Sequence, residues 1–262
     1  MADQDVLLVN RRGETDWVTL NRPERLNALN QPLSDALLAY FEARRRDTTC
    51  RVIVLAGAGR GFSSGADLKA GGQPDRLRDG PNGDWMLRDT LKAMRACPQP
   101  IIALVHGAAA GGGLALALAA DVIVAGASAA FHPAFIKIGL SGSELAVSWR
   151  LQRTMGISRT REMLLTGEPM TAEEASRVGL VSKVIADEAL AAEGERLASA
   201  MLKAGPDALR ISKRTFDATL EGMSFDAALE LEERGQIQMI RGRTAAVGMP
   251  GASSIAPQPG PA

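Results

Sequence analysis

Aromatic residues are scarce in this chain: six Phe, three Trp and one Tyr among 262 residues. That is poor material for a base-stacking surface, and the exact cancellation of 30 basic by 30 acidic side chains removes the charge excess that a nucleic acid or a membrane surface would attract. Cysteine is nearly missing too. Cys50 and Cys97 have neither disulfide-framework nor metal-ligand spacing, so no metal is expected and a reducing, cytoplasmic location is. The two histidines, His106 and His132, leave a hydrolytic triad few choices of base. The N-terminal residues MADQD lack a basic segment followed by an apolar one, so no signal peptide is expected.

What is present is one long uncharged run, Ile101 to Ala120, followed by Asp121. Its first five residues form a short apolar strand, and Leu114 to Ala120 are strong helix formers, which places Gly111-Gly112-Gly113 at the start of a buried helix. A helix start leaves backbone N–H groups unpaired, and glycine lets another molecule approach them. The rival readings are a membrane helix with a Gly107-x-x-x-Gly111 packing motif, or a plain core helix. Three adjacent glycines and a histidine within the run favour strand, turn and helix.

A shorter stretch upstream, Gly61 to Lys69, contains Gly61-Phe62-Ser63-Ser64-Gly65 and so matches the G-x-S-x-G nucleophile elbow. That motif needs its serine directly after a strand, and the expected strand Arg51 to Ala56 ends too early. The preceding Gly57-Ala58-Gly59-Arg60-Gly61 departs from a dinucleotide fingerprint, its third glycine coming one place early with no helical pattern behind it.

Elsewhere, Val6–Val9 and Trp17–Leu20 read as an antiparallel pair turning at Gly13, and Leu33, Ala36, Leu37, Tyr40 and Phe41 mark an amphipathic helix. Residues 71–83 read as a polar loop, Trp85–Arg95 as a helix, and Phe131–Gly142 as irregular. Thr171-Ala172-Glu173-Glu174 is a capping-box pattern. Short apolar strands alternating with helices between residues 50 and 185 argue an α/β class. The expected organisation is a core over residues 1–186, a helical region over 187–243 broken at Gly205-Pro206 and Glu221-Gly222, and a disordered tail over 244–262.

Taken in order, Asn21-Arg22-Pro23 with Leu26-Asn27-Ala28-Leu29, Phe62-Ser63-Ser64-Gly65-Ala66-Asp67-Leu68-Lys69, the Gly107–Gly113 stretch, Ala120-Asp121, Ile138-Gly139-Leu140 and Leu165-Thr166-Gly167 resemble the crotonase, or enoyl-CoA hydratase/isomerase, superfamily. The resemblance spans roughly residues 5–240. It implies a ClpP-like fold of stacked ββα turns, a C-terminal helical trimerisation region, a homotrimer or hexamer, and an acyl-CoA thioester as substrate. Coenzyme A would enter as part of that substrate, with no separate cofactor. The resemblance further implies an oxyanion hole from the Ala66 and Gly112 backbone N–H groups, which would stabilise a thioester enolate. It assigns Arg25, Leu26, Ala28, Ser64, Asp67, Leu68 and Lys69 to the coenzyme pocket.

The chain departs from enoyl-CoA hydratases at two positions that carry glutamate in them, where it has Ala115 and Phe135. Neither moves a proton, so ordinary hydratase activity is expected to be weak. Glu144, in a segment similar to relatives that isomerise a double bond, is the remaining candidate base. Its bland alternative is a helix cap, because Ser141-Gly142-Ser143-Glu144 is itself a capping-box pattern. His132 is a weaker candidate base, His106 a structural residue, and Trp85, Phe135 and Leu140 would shape an acyl pocket. The family's C-terminal lysine-arginine pair is also missing, with Arg241 and Arg243 as possible substitutes.

Overall fold

The computed structural model describes residues 5–68 and 86–245. Lys69, the 71–83 loop, Trp85 and the tail from 246 onward lie outside the described residues. The chain divides into two compact units, Met1–Lys213 and Arg214–Ala262.

The first unit is built on a six-stranded sheet. Strand β1 (Leu7–Arg12) pairs antiparallel with β2 (Thr15–Leu20), and parallel strands β3 (Val52–Gly57), β4 (Ile101–Val105), β6 (Val122–Gly126) and β9 (Lys183–Ile185) follow in spatial order. A three-stranded sheet holds β5 (Ala108–Ala110), β7 (Ala130–His132) and β8 (Met170–Thr171). Both faces of the main sheet are covered, which is why β3 and β4 read as unbroken apolar runs. Ile53, Leu55, Ile101, Ala103 and Val105 join the core that includes Leu33, Leu37 and Phe41 of helix α1 (Gln31–Arg44) and Met94 of α2 (Met86–Ala96). Their strand neighbours Val52, Val54, Ile102 and Leu104 face the other way, with Trp17, toward Leu190 and Ala198 of α7 (Leu190–Leu202).

The first strand runs three residues and the second two residues further toward the turn than the sequence pattern suggests, closing at Gly13 with φ +59°. The segment expected to be irregular after β6 contains β7 and a 3-10 turn, Ile136–Ile138. The Thr171–Glu174 capping box forms in full and starts α6 (Ala172–Arg177). Helices α3 (Gly112–Leu118), α4 (Val147–Met155) and α5 (Ile157–Thr166) complete the core elements. Helix α8 (Pro206–Leu220) passes from the first unit into the second, and α9 (Phe225–Ala245) reaches two residues into the stretch expected to be disordered.

Lys213 is the last residue of the first unit. Its ammonium, buried to 4% exposure, contacts the Gln99 and Met94 carbonyls at 2.9 and 3.2 Å and the Asp121 carboxylate at 3.0 Å. Asp121 in turn accepts the Ile101 N–H at 2.7 Å, fixing the start of β4.

Candidate active site

Parallel strands deliver their following loops to one edge of a sheet, and β2, β3 and β4 are adjacent. The loops after Leu20, Gly57 and Val105 therefore meet, although they are far apart in sequence. They are bonded to one another almost as a small sheet. Phe62 N–H and Ser63 N–H donate to the His106 and Ala108 carbonyls at 2.8 and 2.9 Å, and Ala110 N–H donates back to Ser63 at 2.9 Å. On the other side, Ser64 N–H reaches the Leu26 carbonyl at 2.9 Å and Leu29 N–H reaches Gly65 at 2.7 Å.

This pattern sets the direction of the Ala66 amide. Leu29 accepts from Asp67 N–H at 3.0 Å and donates to Gly65, which makes Leu29 and Ala66 a parallel bridge. Successive peptide groups in such a bridge alternate sides, so the N–H of Ala66 faces away from Leu29. Gly65, at φ +82°, makes the bend, and a Cβ there would sit 2.6 Å from the Ala110 carbonyl oxygen and 3.3 Å from the Gly112 nitrogen. The turn bearing Ala66 and the start of α3 are thus in van der Waals contact. Gly111 N–H is used by the His132 carbonyl at 2.9 Å, whereas neither Ala66 N–H nor Gly112 N–H has an acceptor among the described residues.

Apolar side chains crowd the same place. Leu29 and Leu87 approach to 2.9 and 2.7 Å of the point a Cβ on Gly112 would occupy, and the Phe135 ring comes to 3.8 Å of the corresponding point on Gly111. Phe135 is 5% exposed and Ala115 2%, so both positions are deep in the core. Leu140, partly buried, donates its N–H to the Phe135 carbonyl at 3.0 Å. Leu87 was not a sequence candidate, since a leucine at the start of an amphipathic helix has no mark that separates it from core.

Two residues that organise the loops carry part of the resemblance but have no role assigned from the sequence. Asn27, fully buried at φ +53°, donates through its amide to the Ala58 and Gly61 carbonyls at 2.8 and 2.9 Å and accepts the Arg22 N–H at 2.9 Å. Asparagine tolerates the left-handed region better than most residues, which was a usable signal. Arg22 donates to the Ala28 carbonyl and, at 2.9 Å, to Asp67, whose residue is 6% exposed. Arg25 is exposed and Leu26 partly so, and Leu68 is 58% exposed. The Ser64 hydroxyl donates to the Arg25 carbonyl at 3.4 Å, so these residues share the rim of one loop cluster.

Ser63 is no nucleophile. It is fully buried, donates to the Asn27 carbonyl at 2.8 Å and accepts the Gly65 N–H at 3.2 Å. Gly113 makes room for it, because a Cβ at that position would lie 2.6 Å from the Ser63 carbonyl oxygen.

The capping reading of Glu144 is overturned. Helix α4 begins at Val147, its N-cap is Ala146, and no side chain caps it. Ser141 Oγ instead accepts the Ser143 N–H at 3.2 Å, and the Glu144 backbone carbonyl accepts the Val147 N–H at 3.1 Å. The Glu144 side chain is partly buried and has no hydrogen-bond partner among the described residues. Directly after it, Leu145 and Ala146 both adopt left-handed backbone, at φ +51° and +59°. Two such residues in a row are costly for L-amino acids, roughly 1–2 kcal/mol each, and such outliers gather at functional sites.

Burial, with Lys137 second, pulls the His132 imidazole below its ordinary value. Its carbonyl serves the glycine triplet, and His106 holds the Gly59 carbonyl at 2.8 Å. Both cysteines are free and buried, and no metal-binding cluster occurs among the described residues.

A sequence model of the enoyl-CoA hydratase/isomerase family matches residues 15–250. A probable enoyl-CoA hydratase of Mycobacterium tuberculosis, echA12, is 41% identical over 238 residues, covering 88% of this chain and 84% of that one. The 1,2-epoxyphenylacetyl-CoA isomerase of Escherichia coli is 34% identical, with 87% of each chain covered. Among solved structures, a monofunctional enoyl-CoA isomerase from M. smegmatis matches with TM-score 0.74 at 37% identity, over 86% of this chain and 99% of that one. A probable enoyl-CoA hydratase/isomerase from Mycobacterium abscessus gives TM-score 0.80 at 38% identity, over 89% of each. The chain belongs to the enoyl-CoA hydratase/isomerase family and has the crotonase fold.

Proposed function

We propose that this protein shifts the double bond of an enoyl-CoA from the β,γ to the α,β position, holding the thioester oxygen between the Ala66 and Gly112 amides and using Glu144 as the single proton carrier. The observation that carries this reading is the pair of amides without acceptors among the described residues, on two interlocked turns. Removing a proton from the carbon next to a thioester places negative charge on the carbonyl oxygen, and fixed donors in a dry pocket stabilise that charge without reorganising. Glu144 takes the α proton, the electrons shift along the chain, and the same carboxylic acid returns a proton to the γ carbon. One base suffices. Hydration needs a water activated as well, and Ala115 and Phe135 supply no carboxylate for it. The isomerases among the relatives support this choice, while a hydratase-like reaction on an unusual substrate uses the same donors and the same glutamate.

Arg25, Leu26, Ala28, Ser64, Asp67, Leu68 and Lys69 are assigned to the coenzyme end, where Arg25 and Lys69 would meet phosphate charge and the others would act mainly through backbone and shape. Phe135 and Leu140, with Leu29 and Leu87, form the acyl end. We also assign a homotrimer or hexamer, supported by the apolar side chains that the second unit leaves exposed: Phe216, Phe225, Leu229, Ile237 and Ile240. No described helix is long and apolar enough to cross a membrane.

The test is to offer 2-enoyl-CoA and 3-enoyl-CoA substrates and follow the ultraviolet absorbance of the conjugated thioester. Growth of the signal from 3-enoyl-CoA, abolished in Glu144→Gln, supports the proposal. Binding of both without turnover identifies a silent acyl-CoA binder, and release of free thiol identifies a hydrolase.

A further inference from the structure

Arg22 and Asp67 are mostly buried, with side-chain exposures of 13% and 7%, at the rim of a site where charged side chains would be expected to face solvent or ligand. A buried ion pair adds little net stability, so its retention calls for another account. The guanidinium spans two acceptors. One nitrogen donates to the Ala28 carbonyl and the other to the Asp67 carboxylate, at 2.9 Å. Ala28 precedes Leu29 and Asp67 follows Ala66, and Leu29 and Ala66 are bridge partners. Arg22 therefore staples the two bridged segments immediately beside the peptide whose N–H is one of the two donors without an acceptor among the described residues. Its own backbone is tied in as well, Arg22 N–H to the Asn27 side chain and the Arg22 carbonyl to the Asn27 N–H at 2.9 Å.

We propose that Arg22 and Asp67 are positioning residues, an ion-paired staple across Ala28 and Asp67 that fixes the direction of the Ala66 N–H. This rests on the reading of Ala66 as an oxyanion donor. It also gives the Asp67 carboxylate a task distinct from contacting coenzyme A. Without the staple the Leu29–Ala66 bridge keeps its two hydrogen bonds, and the peptide that carries the Ala66 N–H is still held at its other end, the Gly65 carbonyl, by Leu29 N–H. That peptide can then tilt about this one bond, and misplacement of a donor by a fraction of an ångström weakens its hold on a developing oxyanion. The guanidinium is suited to this because its planar fork meets two acceptors at once, whereas a lysine ammonium on a flexible stem reaches one.

The experiment compares wild type, Asp67→Asn and Arg22→Lys, after a thermal melt to verify folding, by two readouts. The first is the carbonyl stretch of isotopically labelled butyryl-CoA, a saturated thioester that neither hydration nor isomerisation consumes, read by infrared difference spectroscopy. The second is kcat and KM with 3-hexenoyl-CoA. The staple predicts a red-shifted carbonyl in wild type that moves back toward the free value in both variants. It also predicts kcat lower by about 10 to 100-fold with KM within about two-fold. Unchanged spectra and kcat would overturn it, and so would a raised KM at unchanged kcat, which would make Asp67 a coenzyme contact. Should Asp67→Asn not fold, Arg22→Lys, which keeps the buried positive charge, carries the test alone. No red shift in wild type would instead remove the oxyanion reading itself.

Discussion

The backbone from Phe62 to Asp67 is bonded on two sides, to His106, Ala108 and Ala110 on one and to Leu26 and Leu29 on the other. The segment from Ser141 to Ala146 is held differently: by local bonds, by the close seating of Gly142 on the Leu164 carbonyl, and by two left-handed residues after Glu144. The first arrangement is redundant and stiff, as suits donors that must not move while charge develops. The second leaves a carboxylate without a hydrogen bond among the described residues on a strained turn, as would suit the proposed group that visits two carbon atoms. On the proposed reading, the chemistry shared across the family lies in main chain, and the choice among reactions in one side chain and the turn beneath it.

The largest expected effect comes from breaking the stiff side. Gly65→Ala would drive a Cβ to 2.6 Å from the Ala110 oxygen while forcing a left-handed alanine, so the two turns must part. Turnover of a 3-enoyl-CoA should fall by at least about 100-fold, the usual cost of one lost oxyanion donor, accompanied by a lower melting temperature. Wild-type turnover in a folded Gly65→Ala protein would show that the contact between turns is irrelevant.

Next is the base. Glu144→Gln should lower isomerisation by about 100 to 10,000-fold, the range for a positioned general base, with acyl-CoA affinity and melting temperature near wild type because its side chain has no hydrogen bond to lose among the described residues. A sharp fall in melting temperature would return Glu144 to a structural role.

A smaller effect separates strain from sequence. Ala146→Gly relieves a left-handed alanine but loosens the unfolded chain, so the two terms offset within about 1 kcal/mol in a denaturant titration. Turnover should nevertheless fall several-fold as the support of Glu144 softens. Equal or faster turnover would mean that the left-handed pair has no part in holding the base.

The smallest effect lies away from both regions. Burial alone would raise Asp47, but hydrogen bonds from the Thr49 hydroxyl and from the Thr49 and Cys50 backbone outweigh it, with Arg44 adding its charge, and bring it down to about 2. Asp16, opposed by burial, is likewise lowered by Arg11 and Tyr40. A carboxylate depressed on folding contributes stability that is complete above its unfolded value, about 4, and is lost as pH falls toward the folded one. Melting temperature should therefore drop between about pH 4 and 2, and Asp47→Asn should flatten that slope without touching turnover.

Much of this was legible beforehand for a physical reason. Strand periodicity, the glycine triplet and the Thr171 capping box are local patterns, and local patterns fix local geometry. The adjacency of the three loops follows from parallel strand order, which no local pattern states. What stayed hidden depends on pairing at a distance. Nothing within NRP or GAD shows that Arg22 turns inward to Asp67, and Leu145 and Ala146, ordinary helix formers, give no sign of a left-handed turn. The capping pattern at Ser141 misled because its spacing was right while the helix began three residues past Glu144.

Two main-chain amides from separate turns are proposed to hold one acyl oxygen. A crystal structure with a bound acyl-CoA tests it directly. The thioester oxygen should lie about 2.7 to 3.1 Å from both the Ala66 and Gly112 nitrogens. An oxygen bound elsewhere, or either amide satisfied by an atom of the protein itself, would contradict it.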